Sequence, residues 1–174
     1  NMVGRCYENG WGVAQDLQHA IRWYRHAADK GLDAGLYNLA NQHARGQGMP
    51  RDDARALALY LQAAGLGHAK SMTKAGRYYE DGLGVAARDA ERAMDLYRQG
   101  ALGGDFRGQY QYARMLAERG EIEAALEWLG RVPLTATPGF LEEAGQLLSG
   151  SPDGRFAAIG REMLARAGQL RKNA

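Results

Sequence analysis

The sequence predicts an all-α solenoid, and three observations carry that expectation. Glycine-bracketed loops return at a fixed period: Gly10-Trp11-Gly12-Val13, Gly46-Gln47-Gly48-Met49 and Gly82-Leu83-Gly84-Val85 start 36 residues apart (46 − 10 and 82 − 46). An alanine and a tyrosine follow each loop at nearly constant distance, as Ala20 and Tyr24, Ala56 and Tyr60, Ala93 and Tyr97. Two small residues and a glycine then close each segment: Ala27-Ala28 with Gly31, Ala63-Ala64 with Gly67, Gly100-Ala101 with Gly104. Such self-similarity marks stacked units, each hiding its apolar face against the next.

Between the glycines, apolar residues recur at the 3.6-residue helical period. The first unit reads as a short helix over 2–8, a loop over 10–15, and a second helix from Asp16 or Leu17 to Asp29. Asp16 sits where an N-cap belongs, its carboxylate able to accept from exposed backbone N–H groups; Asp52 fills that slot in the second unit, and Asp89 in the third after a one-residue insertion. The loop glycines supply the positive φ that ends the first helix of each pair.

Small residues mark close helix approaches: Gly4, Ala40, Gly76 and Ala113 on first helices, Ala20, Ala56 and Ala93 on second ones. Tyr7, His43 and Tyr79 fill the adjoining gaps. Trp23, Leu59 and Leu96, with Tyr24, Tyr60 and Tyr97, are expected in the core, because an aromatic stripe at helical spacing is packing.

A fourth pair is expected over 106–118 and 121–130, joined by the shorter turn Arg119-Gly120-Glu121. Pro133 to Pro138 breaks the pattern. Beyond it lie a helix over 139–148 and a last one with Ser151 as N-cap and Pro152 in the first turn. That last helix places Phe156, Ile159, Met163, Leu164 and Leu170 on one face and Arg155, Arg161, Glu162 and Arg166 on the other, as a solenoid end needs. The expected organisation is a repeat array over 1–132, about four units with the first truncated, and a helical cap over 133–174 in the same domain.

Composition excludes several function classes. A net charge of +2 without a basic run does not suit nucleic acid. No stretch approaches the roughly 20 apolar residues of a membrane span, so no membrane insertion is expected. Cys6 is the only cysteine, which rules out an intrachain disulfide and a cysteine metal cluster; it reads as a small helix residue. Asn1 aligns with Tyr37, so the first helix is expected to lack its usual start and the chain to be a piece of a longer protein. That leaves the compartment, cytoplasmic or periplasmic, and a signal peptide open. It also exposes an apolar end through which the chain could self-associate.

Catalysis needs a clustered nucleophile, base or metal set, and none is legible. His19, His26, His43 and His68 are scattered; His19 and His26 could share a helix face, but no carboxylate or cysteine completes a ligand set. Adjacent acids at Asp52-Asp53 and Glu142-Glu143 point apart on a helix. The Gly-x-Gly segments follow helices, not strands, which argues against a phosphate cradle. The expectation is a non-enzyme without metal or cofactor.

The run Gly4-x-x-Tyr7-x-x-Gly10-x-Gly12-Val13-x-x-Asp16-x-x-x-Ala20-x-x-Trp23-Tyr24-x-x-Ala27-Ala28-x-x-Gly31 resembles the SEL-like repeat family, relatives of tetratricopeptide repeats. Units two and three follow with His43 for tyrosine, Met49 for valine and the shifted Asp89. The resemblance is strong over 1–105, weak over 106–132 and absent beyond. It implies a right-handed α/α superhelix of antiparallel helix pairs serving as a scaffold for protein–protein contacts, commonly in bacterial envelope, secretion or signalling pathways.

The resemblance also implies that first helices line a concave face. The position after each small residue then points into the groove, giving Arg5, Asn41, Arg77 and Arg114, flanked by Tyr37, Thr73 and Tyr110 on one side and Arg45 and Glu80 on the other. Guanidinium groups and tyrosines suit an extended peptide or protein partner. The expected function is a non-catalytic scaffold or adaptor. The alternative is an inhibitor or immunity-type protein that blocks a toxin or enzyme through its loops over 10–15, 46–51 and 82–88.

Overall fold

The computed structural model describes residues 1–85 and 87–173, and among them the elements are ten α-helices and one 3-10 turn. Ala86, in the third glycine loop, lies outside the described residues. Helix α1 spans Met2–Asn9, α2 Leu17–Asp29, α3 Asp33–Arg45, α4 Asp53–Gly65, α5 Ala69–Asp81 and α6 Ala90–Leu102. These six form one compact body, residues 1–103, of three helix pairs. Helix α2 packs on α3, and α4 on α5, so the second helix of each repeat covers the first helix of the next. The all-α repeat solenoid read from the sequence is the fold.

Local chemistry sets the boundaries. Gly10, Gly46 and Gly82 end α1, α3 and α5 at φ of 71°, 66° and 73°, a left-handed conformation that a Cβ would strain. Asp16, Asp52 and Asp89 cap the next helices, accepting from the backbone N–H of His19, Arg55 and Arg92 at 2.9, 2.8 and 2.9 Å. Each cap residue is also tied back: the N–H of Asp16, Asp52 and Asp89 donates to the carbonyl of Tyr7, His43 and Tyr79. The loops are thereby pinned at both ends.

Close approach explains the small residues. A Cβ on Gly4 would lie 2.6 Å from the Tyr24 ring, and one on Gly76 2.9 Å from the Tyr97 ring. Tyr24, Tyr60 and Tyr97 are the largest fully buried side chains of this body, and Tyr24 and Tyr60 share a core with Ile21, Leu39, Leu57 and Leu59. Trp23 corrects the expectation of a core aromatic: its counterparts Leu59 and Leu96 are buried, but Trp23 is 40% exposed.

The second body begins at Gly104 and holds α7 (Phe106–Glu118), α8 (Ile122–Arg131), the 3-10 turn Val132–Leu134, α9 (Pro138–Ser149) and α10 (Gly154–Lys172). Its core joins Phe106, Leu129, Val132, Leu141 and Met163. Helix α9 packs chiefly on α10, where Gly145 and Gly160 bring the two backbones together. The N-cap of α10 is Asp153, not Ser151. Asp153 accepts from the N–H of Arg155 at 2.9 Å, while Ser151 Oγ accepts from the N–H of Asp153 at 3.3 Å, so Pro152 precedes the helix.

Candidate partner-binding face

Buried tyrosines brace the first helices. Tyr24 Oη donates to Glu8 Oε2 at 2.5 Å, and one period of two repeats later Tyr97 Oη donates to Glu80 Oε2 at 2.7 Å. In the second repeat Ala44 offers no acceptor at that position, and Tyr60 Oη donates instead to Asn41 Oδ1 at 2.7 Å. Burial pushes the Tyr24 and Tyr60 hydroxyls well above the usual phenol range, which keeps them neutral donors. Tyr78 is pushed up to about 12, first by burial and then by the Asp53 charge it meets at 3.3 Å.

Glu8 also joins two repeats. Gln42, fully buried on α3, donates from Nε2 to Glu8 Oε1 at 2.8 Å, and the Arg45 guanidinium stands 3.8 Å from the same oxygen. Tyr37, Tyr60 and Tyr78 form a row with ring centroids 6.0 and 5.6 Å apart, and His68 lies 4.9 Å from Tyr37.

The residues singled out from the sequence therefore divide by role. Arg5, Arg45 and Arg77 are exposed cations on α1, α3 and α5. The Arg5 guanidinium lies 5.1 Å over the Trp11 ring, and Arg77 pairs with Asp81 one helical turn away at 3.2 Å. Asn41, Glu80 and Tyr37 are half-buried, and each is already held by an internal aromatic or hydroxyl partner. Thr73 is 8% exposed, sits where a Cβ on Gly100 would collide with it, and bonds to the carbonyl of Ala69. It packs α5 on α6 and offers a partner almost no surface.

In the second body, Tyr110 and Arg114 line a cavity of about 400 Å³ floored by Ala117, Leu129, Leu148 and Phe156. Arg114 reaches Gln111 at 2.9 Å and Glu118 at 2.6 Å. Burial raises the Tyr110 hydroxyl above its ordinary pKa, with Arg114 opposing that shift. The sequence pattern singled out these two residues but not the cavity, whose floor adds residues of α8, α9 and α10 to Ala117 of α7.

The histidines have local explanations. His19 Nδ1 lies 2.7 Å from Asp16 and its ring stacks on Tyr7, while His26 meets Trp23 edge-on. Among the described residues no group of three or more His, Cys, Asp or Glu is placed to hold a metal ion, and no helix is long and apolar enough to cross a membrane.

Comparison with known proteins agrees with this geometry. An exopolysaccharide production negative regulator of Rhizobium leguminosarum bv. viciae is 29% identical over 161 residues, covering 83% of this chain and 58% of its own length. The chitin synthase regulator SKT5 of Saccharomyces cerevisiae is 33% identical over 92 residues, 50% of this chain and 13% of its own. The chain thus spans little more than half of the bacterial relative. Among solved structures, a Sel1 repeat protein from Oxalobacter formigenes superposes with a TM-score of 0.79 at 27% identity, covering 99% of this chain and 71% of that one. A protective antigen of uropathogenic Escherichia coli with an SLR fold gives a TM-score of 0.73 at 24% identity, covering 97% and 37%, a likeness of fold alone. Residues 1–32, 33–68 and 69–105 each match the Sel1 repeat, and the chain belongs to the Sel1 repeat family.

Proposed function

We propose that this chain is a non-catalytic adaptor that regulates another protein by holding it, or an extended segment of it, against the first helices of its repeats. The supporting observation is that the first helices of three successive repeats each carry an exposed cation, Arg5, Arg45 and Arg77, beside Glu8, Asn41 and Glu80, which Tyr24, Tyr60 and Tyr97 hold from beneath. A scaffold fixed in this way orders few groups on binding, so less conformational entropy opposes association. Two relatives bear names of regulators, one of exopolysaccharide production and one of a chitin synthase, and a regulator's role by binding is carried over here on that ground. The test is capture of a partner by the immobilised chain. Arg5→Ala with Arg77→Ala should remove capture while the helical circular dichroism and melting stay unchanged; full capture by this variant would reject the assignment.

A second contact is favoured by one specific observation. Val3 is 43% exposed on α1, whereas its counterparts Leu39 and Ala75 are 6% and 0% exposed under α2 and α4. This face of α1 has the composition of a repeat–repeat contact, and a second copy of the chain is the occupant we assign to it where no preceding repeat covers it. The loop-mediated inhibitor remains the competing reading of function; it rests on Trp11 and Val13, both exposed in the first glycine loop.

A further inference from the structure

The second body carries a feature that the repeat pattern does not produce. In the first body α2 fits against α3 and α4 against α5, but α8 meets α10 more closely than it meets α9. Pro133 lacks an N–H and ends α8 in a 3-10 turn, whose Val132 and Pro133 are buried. Helices α9 and α10, crossed tightly at Gly145 and Gly160, are set by that turn rather than by the repeat spacing. A trough is left along α7. It has two compartments that share Tyr110 and Leu147 as a common wall.

The inner compartment, about 400 Å³, is walled by alanine, leucine and phenylalanine side chains, with Arg114 and Glu118 paired at its lip. That volume lies at the lower end of the range for ligand pockets and accepts an aromatic or large aliphatic group. The outer compartment, about 600 Å³, is lined by Gln111, Phe140, Gln146 and the exposed carboxylate of Glu143, while the neighbouring Glu142 pairs with Arg171. Leu147, 71% exposed, stands between the two.

Charge decides what fits. Glu118 is paired with Arg114, and the Arg107 guanidinium is held over the Phe106 and Phe140 rings, which leaves the exposed carboxylate of Glu143 as the charge in the lining of the outer compartment. The position beside Glu143 therefore favours a cationic side chain. Two compartments that share Tyr110 and Leu147 as a wall can take two side chains from one face of an extended strand, where i and i+2 lie about 7 Å apart. We infer that α7 and α9 hold an extended peptide segment whose large apolar side chain enters the inner compartment while a lysine or arginine two residues away sits beside Glu143. The inference rests on the reading that first helices bind a partner segment, and adds the chemistry of that segment.

The test is a random heptapeptide phage library panned on the immobilised full chain. Fluorescence anisotropy then follows, with the enriched sequence made as a fluorescein-labelled peptide. The expected consensus has Phe, Trp or Leu two positions from Lys or Arg. Ala117→Trp, which fills the inner compartment, and Leu147→Glu, an exposed change that leaves the core untouched, should each weaken binding about tenfold or more, the loss of one anchor residue. Glu143→Lys should weaken the basic peptide and restore binding when its Lys or Arg is replaced by Glu. No enrichment, an acidic consensus, or affinity indifferent to both Ala117→Trp and Leu147→Glu would overturn the inference. Peptide binding lost in Arg5→Ala with Arg77→Ala but untouched by the trough variants would sink this inference and leave the groove reading standing; the converse pattern would confine binding to the trough.

Discussion

The hydroxyl of Tyr24 on α2 donates to Glu8 Oε2 on α1 at 2.5 Å, and Gln42 on α3 donates to the other oxygen of the same carboxylate. One side chain thus ties the two helices of a repeat to each other and to the next repeat. Glu80 repeats the first of these ties with Tyr97, and Asn41 takes it over for Tyr60. Burial holds the Tyr24 and Tyr60 hydroxyls well above the usual phenol range, so these two ties are made by neutral donors.

Removing these hydroxyls should cost stability in an order set by the acceptor. A hydrogen bond to a charged group contributes more than one to a neutral amide. Tyr24→Phe, which strips one donor from a half-buried carboxylate, should therefore destabilise by about 2 kcal/mol, and Tyr60→Phe, facing Asn41, by about 1 kcal/mol. Urea unfolding followed by circular dichroism measures both; equal losses would show that the acceptor's charge is immaterial.

The cap of α10 gives a sharper local test. Asp153 accepts from the N–H of Arg155, and two nitrogens of the Arg155 side chain, Nε and a terminal one, also reach it, so its carboxyl is held below the usual range first by that side chain and then by the backbone bond. Asp153→Ala should lower the melting temperature of the chain more than Ser151→Ala. The reverse order would restore Ser151 as the cap.

That exchange shows where the sequence is legible and where it is not. Glycine C-caps and aspartate N-caps act within a few residues, so Gly10, Gly46 and Gly82 and Asp16, Asp52 and Asp89 mark helix ends directly. Ser151-Pro152-Asp153 holds two competent caps, and local chemistry alone does not choose between them. Tyr24 was assigned to the core on periodicity, but its bond to Glu8 spans 16 residues across two helices and leaves no periodic trace. Thr73 shares a register with Tyr37, yet its short side chain faces Gly100, so register carried a position and not an orientation. The apolar cavity beside Tyr110 depends on where the Val132–Leu134 turn sends α9, which no single helix encodes.

The end face of α1 should respond to charge. Val3 occupies the register that Leu39 and Ala75 bury under a preceding helix. If a second copy covers it, light scattering will give a mass that rises with concentration, and Val3→Asp will hold the chain at the monomer mass, because an unpaired carboxylate in an apolar contact is costly to desolvate. A constant monomer mass for the unaltered chain would exclude this contact.

His43 should make stability fall on mild acidification. It stands where the first and third repeats have Tyr7 and Tyr79, and its Nδ1 is buried without a hydrogen-bond partner. Burial holds its pKa below the ordinary histidine value, with Arg55 and Arg25 acting in the same direction and Asp52 opposing them. In the unfolded chain this histidine takes up a proton near pH 6.5, but in the folded chain only at lower pH. The unfolded state therefore binds more protons between those two values, and folding stability declines as pH falls from about 6.5 through the folded pKa. His43→Tyr restores the residue of the neighbouring repeats and removes the titrating group. Melting temperatures from pH 8 to pH 5 should fall less steeply for His43→Tyr than for the unaltered chain, while Asp16, whose carboxyl is held low by the His19 backbone N–H, contributes its own loss only below about pH 4. Parallel pH profiles for the two proteins would show that His43 is not the group responsible.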